Sequence, residues 1–123
     1  MSDESKAANL RVRTKQFALR IIRMHGSLPH TTVAQTLGNQ VLRSGTSVGA
    51  QYREGCRARS DAEMISKWES SLQELDETAY WIELLVEGEV VAESLMTGLM
   101  READELTAML TASVKTIKAR RRG

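Results

Sequence analysis

The sequence predicts an all-α protein, an antiparallel up-down-up-down four-helix bundle with helices over 8–27, 32–57, 61–87 and 91–119. Three observations carry that prediction. Apolar residues recur at alternating spacings of three and four in four separate segments, which places them on one face of each helix. The breaks between segments are short, as antiparallel helical neighbours require. The chain also holds only one proline and five aromatic residues, too few turn-formers and aromatics for a β-sandwich.

In the first segment Leu10, Thr14, Phe17, Ile21, Met24 and Leu28 form the stripe. The stretch Gly26–His30, with Pro29 inside it, ends that helix, because proline disfavours helical geometry in the residue before it. Thr32 with Gln35 then forms a capping box for the second helix. That helix carries two stripes. One is Ala34, Leu37, Val41, Ser44, Val48, Tyr52 and Gly55; the other, Gly38, Leu42, Gly45, Gly49 and Cys56, is unusually smooth. Each interior glycine costs about 1 kcal/mol against alanine. Two readings stand: a neighbouring backbone approaches closely, or the helix is broken there. The Gly45–Gly49 spacing matches a membrane-helix packing motif, but the flanking arginines exclude a membrane setting.

Ser60-Asp61-Ala62-Glu63 marks the third helix with an N-cap serine and acids in the first turn. Ile65, Trp68, Leu72, Leu75, Ala79, Ile82 and Val86 give it a coiled-coil-like seam, and Gly88 fits a C-terminal cap. In the fourth helix the stripe is Met96, Leu99, Ala103, Leu106, Leu110, Ser113 or Val114, and Ile117. The last two helices are the longest and are expected to form the central hairpin. The whole chain, 1–123, reads as one domain with flexible ends at 1–7 and 119–123.

Cys56 is the only cysteine, so no internal disulfide or cysteine-based zinc site forms, and it reads as a small buried apolar residue. The polar N-terminus lacks a signal-peptide core and no apolar run is long enough to span a membrane. A cytoplasmic location is the expectation. Catalysis needs a nucleophile with its base, paired carboxylates or a metal cluster. His25 and His30 are the only histidines, both at the first loop, and no Glu-x-x-His pair or phosphate-cradling glycine loop occurs. The sequence therefore predicts no enzyme, no cofactor and no metal.

Net charge is +1, yet it is unevenly spread. Residues 1–60 carry +7, residues 61–112 carry −11, and residues 113–123 carry +5. Arg11, Arg13, Lys15, Arg20 and Arg23 crowd the first helix; Arg43, Arg53, Arg57 and Arg59 follow on or just after the second; Lys115, Lys118 and Arg120–Arg122 close the chain. Phosphate binding needs such multiplicity. This makes a non-enzymatic nucleic-acid-binding module, for structured RNA above all, one function class. Few aromatics are free to stack bases, so backbone and shape contacts are expected rather than base readout. The other class is a structural or protein-interaction role, in which Arg43 and Arg57 neutralise Glu54, Glu74 or Glu77.

The run from Gly38 to Ser60, containing Ser47-Val48-Gly49-Ala50-Gln51-Tyr52-Arg53-Glu54-Gly55-Cys56-Arg57-Ala58-Arg59-Ser60, resembles the signature of the bacterial four helix bundle protein family, also called the 23S rRNA intervening-sequence protein family. The likeness continues through Ala62–Lys67 and Glu74–Leu85 and covers about half the chain. Its signature positions here are Arg43, Ser47, Gly49, Tyr52, Glu54, Glu74 and Glu77. Three residues depart from the family pattern: Gln51 replaces a usual asparagine, Gly55 a common alanine, and Trp68 a small or leucine-like residue. The resemblance implies a four-helix bundle that assembles as a homopentamer. Members are encoded within intervening sequences of large-subunit rRNA genes or stand alone. A related branch, the accessory protein of diversity-generating retroelements, binds RNA or DNA together with a reverse transcriptase. From the cation distribution Arg11, Arg13, Lys15, Arg20, Arg23, Arg53, Arg57 and Arg59 are the candidate nucleic-acid contacts, and an adaptor for a reverse transcriptase is the alternative role.

Overall fold

A computed structural model of the chain describes residues 3–122. Residues 1, 2 and 123, part of the ends expected to be flexible, lie outside the described residues. The elements are α1 (Asp3–Gly26), α2 (Thr32–Cys56), α3 (Asp61–Glu87) and α4 (Glu93–Arg122). No strand occurs among the described residues. Helix α1 starts at Asp3 rather than at 8, because acids suit a helix N-terminus before the apolar stripe begins. Helix α4 runs to Arg122 rather than 119, its cations lying at the end where the dipole favours them. It also starts two residues late: the amides of Val90 and Val91 both donate to the Leu85 carbonyl, holding those residues to the end of α3.

Two caps differ from expectation. Thr31, not Thr32, is the N-cap of α2, its hydroxyl accepting from the Ala34 amide at 3.2 Å. Gln35 reaches back to donate to the Pro29 carbonyl instead of closing a capping box. Ser60 caps α3 as expected, accepting from the Glu63 amide at 3.1 Å. Gly88 is the C-cap residue but has φ −78. The left-handed residue is Glu89, φ 58. The bonds Glu89 N–H to Val86 O and Val90 N–H to Leu85 O complete the paired closure of a Schellman turn.

The helices pair in opposite directions around one core. Between α1 and α2, Leu28 meets Gly38, Ile21 meets Gly45 and Thr14 meets Gly49. Between α2 and α3, Ser44 bonds Thr78, Val48 bonds Ser71 and Tyr52 bonds Trp68. Lys118 and Arg120 near the end of α4 pair with Glu69 and Asp61 near the start of α3. The closest-packed hairpin is α2–α3, not α3–α4.

All six residues of the first stripe are buried, Leu28 just past the end of α1, as are Met96, Leu99, Ala103, Leu106, Leu110, Val114 and Ile117 of α4. The α3 seam is wider than its apolar pattern. Leu72, Ala79 and Val86 are only half-buried, while Ser71, Thr78 and Leu85 are buried beside them. The reason is polar. Ser71 Oγ donates to the Val48 carbonyl at 2.7 Å, and Thr78 Oγ1 bonds Ser44 Oγ at 2.8 Å and the Glu74 carbonyl at 2.7 Å. Satisfied hydroxyls can be buried at little cost. Cys56 is half-buried rather than enclosed.

Helix α2 is unbroken across its glycines, which removes the broken-helix reading. A Cβ on Gly45 would lie 2.8 Å from Ile21 Cγ1, and one on Gly49 would lie 3.1 Å from Thr14 Oγ1 and 3.5 Å from its backbone carbon. Close approach is therefore to side chains at Gly38, Gly45 and Gly55, and to backbone as well at Gly49. At Gly55 the space is filled by the Trp68 ring, whose Nε1 would be 2.5 Å from an added Cβ. That ring stacks on Tyr52 with centroids 5.3 Å apart and donates to the Tyr52 carbonyl at 3.2 Å. Gly55 and Trp68 thus compensate one another, the missing methyl making room for the indole. Gly55→Ala should destabilise the fold by roughly 1–3 kcal/mol through overpacking. Adding Trp68→Leu should recover part of that loss, so that urea denaturation of the double-mutant cycle reads strong non-additivity. Simple additivity would refute the coupling.

Candidate nucleic-acid interface

Helix periodicity distributes the cations over several faces, and ion pairing then decides which remain free. Arg13 faces α4. Its guanidinium forks onto Glu102, donates to Glu105 at 2.8 Å and also reaches Met109 Sδ at 3.0 Å. Arg43 spans α2 and α3, contacting Glu77 at 2.7 Å and Glu74 at 3.4 Å. Lys67 pairs with Glu54 at 2.9 Å. Lys118 and Arg120 of the basic tail are taken up by α3 carboxylates.

Among the described residues, Arg11, Lys15, Arg20, Arg23, Arg53, Arg57 and Arg59 form no ion pair. Arg20 turns towards α4, its Nη2 lying beside Gly98. Arg11 and Lys15 are one helical turn apart on α1, and Arg53 on the last turn of α2 is followed four residues on by Arg57, the C-cap. Lys15 and Arg53 meet across a shallow depression of about 230 Å³ between α1 and α2. Its remaining lining is small or hydroxylic: Thr14, Ala18, Thr46, Gly49 and Ala50. Counting cations did not reveal these lining residues; the i,i+4 pair Thr46–Ala50 beside Gly49 is the signal that marks them. The depression can accept an anionic group between two cations without displacing a carboxylate.

The signature residues have structural duties instead. Arg43, Glu74 and Glu77 form one ionic cluster across α2 and α3. Ser47 Oγ donates to the Arg43 carbonyl, Gly49 admits Thr14, and Glu54 holds Lys67. Tyr52 is buried, and burial together with Cys56 pushes its phenol pKa up. The expected pairing of Arg43 with Glu74 and Glu77 is present, whereas Arg57 forms none.

Two carboxylates are shifted in opposite senses. The hydrogen bond from Arg13 lowers the Glu102 pKa, against a smaller opposing effect of burial. Burial raises that of Glu74, only partly opposed by Arg43. His25 shares a 2.8 Å hydrogen bond with Asn39, and His30 is exposed in the loop. No group of three or more His, Cys, Asp or Glu able to hold a metal occurs among the described residues. No described helix is long and apolar enough to cross a membrane.

Fold and surface together define a four-helix bundle with two cations, Lys15 and Arg53, facing each other between α1 and α2. Residues 8–112 match the 23S rRNA-intervening sequence protein family, and the chain belongs to that family. It is similar to a crystal structure of a protein of unknown function from the S23 ribosomal protein family of Bacteroides thetaiotaomicron, with 32% identity and a TM-score of 0.84. That similarity covers 89% of this chain and 98% of the other. No curated protein matches the chain.

The Arg13–Glu102 pair carries a pH signature. A depressed folded-state carboxylate pKa adds stability above the unfolded value, and that stability is lost as pH falls through the folded value. Arg13→Gln should therefore destabilise the protein at neutral pH. Its deficit against the parent should shrink as pH drops below the ordinary glutamate value of 4.5, as read by chemical denaturation at a series of pH values. A deficit constant across that range would show that the pair contributes packing alone.

Proposed function

We propose that this protein is a non-enzymatic binder of the nucleic-acid backbone, RNA in the first place, and that the α1–α2 face is its binding surface. One observation carries the reading. Arg11, Lys15, Arg53 and Arg57 form no ion pair among the described residues; Lys15 and Arg53 line one depression, and Arg11 and Arg57 lie four residues from them in sequence. Phosphate contacts need free cations in multiplicity and give sequence-independent affinity. Base stacking is disfavoured: Phe17, Tyr52 and Trp68 are buried, Trp81 packs against the core, and Tyr80 sits on α3 beside Asp76, Glu77 and Glu83. Backbone geometry, not base identity, is then what the surface reads.

Fluorescent structured RNA titrated at several salt concentrations tests this. Each phosphate engaged contributes about −0.9 to the slope of log affinity against log salt on a duplex, so four cations give a slope of roughly −3 to −4. Lys15→Glu with Arg53→Glu should lower affinity at least tenfold at low salt and leave the melting temperature unchanged. Absence of binding by the parent protein at low salt sinks the reading.

Assembly into a homopentamer belongs to the same proposal, supported by family membership. A ring would repeat the cationic face and raise its local field. Native mass spectrometry at micromolar concentration should show the oligomer; a stable monomer overturns this part.

A further inference from the structure

On the α3–α4 side lies a groove of about 530 Å³. Its floor is apolar: Ile82 and Val86 from α3, Met96 and Met100 from α4. Along its rim stand Glu83, Glu87, Glu93 and Asp104, with Arg101 the one cation. None of these four carboxylates has an ion-pair partner among the described residues, whereas Glu54, Glu69, Glu74, Glu77, Glu102 and Glu105 all do. Glu63, Asp76 and Glu89 are also without an ion pair, so four of the seven unpaired carboxylates among the described residues stand around this one apolar floor.

We infer that this groove is a docking site for a cationic amphipathic helix of a partner protein. Four free carboxylates around an apolar floor complement a helix whose apolar stripe is bordered by lysine or arginine. Methionines adapt to varied apolar side chains. The groove follows α4 from Glu93 to Asp104, about 16 Å at 1.5 Å per residue, which seats roughly three turns. A helix suits it better than an extended strand. The floor offers no backbone donors or acceptors, and the Thr97 hydroxyl is already committed to the Glu93 carbonyl. A helix satisfies its own backbone, and it would pack against α3 and α4 as a fifth ridge. Nucleic acid is repelled by the same carboxylates. The chain's own exposed α1 ridge, Val12, Leu19 and Ile22, is the rival occupant from a second copy. Its bordering Arg11 and Lys15 belong to the face assigned above to phosphate, which favours a separate partner.

The test uses the full chain and a fluorescein-labelled leucine–lysine peptide of about 14 residues, slightly longer than the groove. One version is ordered as an amphipathic helix; a second has the same composition without an apolar stripe. Fluorescence anisotropy should show the first binding at least tenfold more tightly. Glu83→Lys with Glu87→Lys, both at exposed positions, should weaken it at least tenfold with the melting temperature unchanged. Met100→Ser should weaken it several-fold with the rim charge intact. Equal binding of the two peptides, or indifference to the charge reversals, overturns the proposal. So does a parent protein whose self-association in sedimentation is dissolved by those reversals, since a second copy would then own the groove.

Discussion

Everything in this bundle hangs on how closely α1 and α3 approach α2. The glycines of α2 carry no Cβ, and Leu28, Ile21, Thr14 and Trp68 occupy the space thus left. Glycine weakens an isolated helix, so the gain must come from tertiary contact. Dense packing returns it through dispersion and burial. The same closeness brings Ser71 and Thr78 within hydrogen-bond reach of α2, so the hairpin is joined by buried polar bonds as well as by apolar contact.

Charge is organised in two tiers. Ionic contacts between helices consume Arg13, Arg43, Lys67, Lys118 and Arg120. Exposed pairs of this kind contribute little stability one by one, and their larger effect is selection: they determine which charges stay available. Of what is left, Lys15 and Arg53 face each other between α1 and α2, while four carboxylates and the single cation Arg101 border the α3–α4 groove. A near-neutral chain therefore presents two surfaces of opposite preference.

The fold was legible because amphipathic period and caps are local properties. Four stripes, the Ser60 cap and the extent of α3 all follow from residues within a few turns of one another. The inner edge of the α3 seam escaped because an apolar count ignores Ser71 and Thr78, whose burial depends on acceptors in another helix. The candidate surface was legible only as a list of cations. Arg13 looks like Arg11 in the sequence, yet its partner Glu102 is 89 positions away. The signature, for its part, describes how α2 meets α3, since Arg43, Glu74, Glu77 and Glu54 are engaged there. It identifies kinship through packing and says little about ligands.

The pairing of Gly55 with Trp68 has a historical corollary. Alanine at 55 crowds an indole at 68, because the added methyl would overlap the ring unless it shifts. Glycine at 55 with a small residue at 68 leaves only a void, which costs stability without forcing atoms together. Any stepwise route from an alanine–leucine pair at these positions to the present one is therefore easier in one order, glycine first and tryptophan second. Once the indole is seated against Tyr52, a return to alanine at position 55 carries an overpacking cost until position 68 shrinks again.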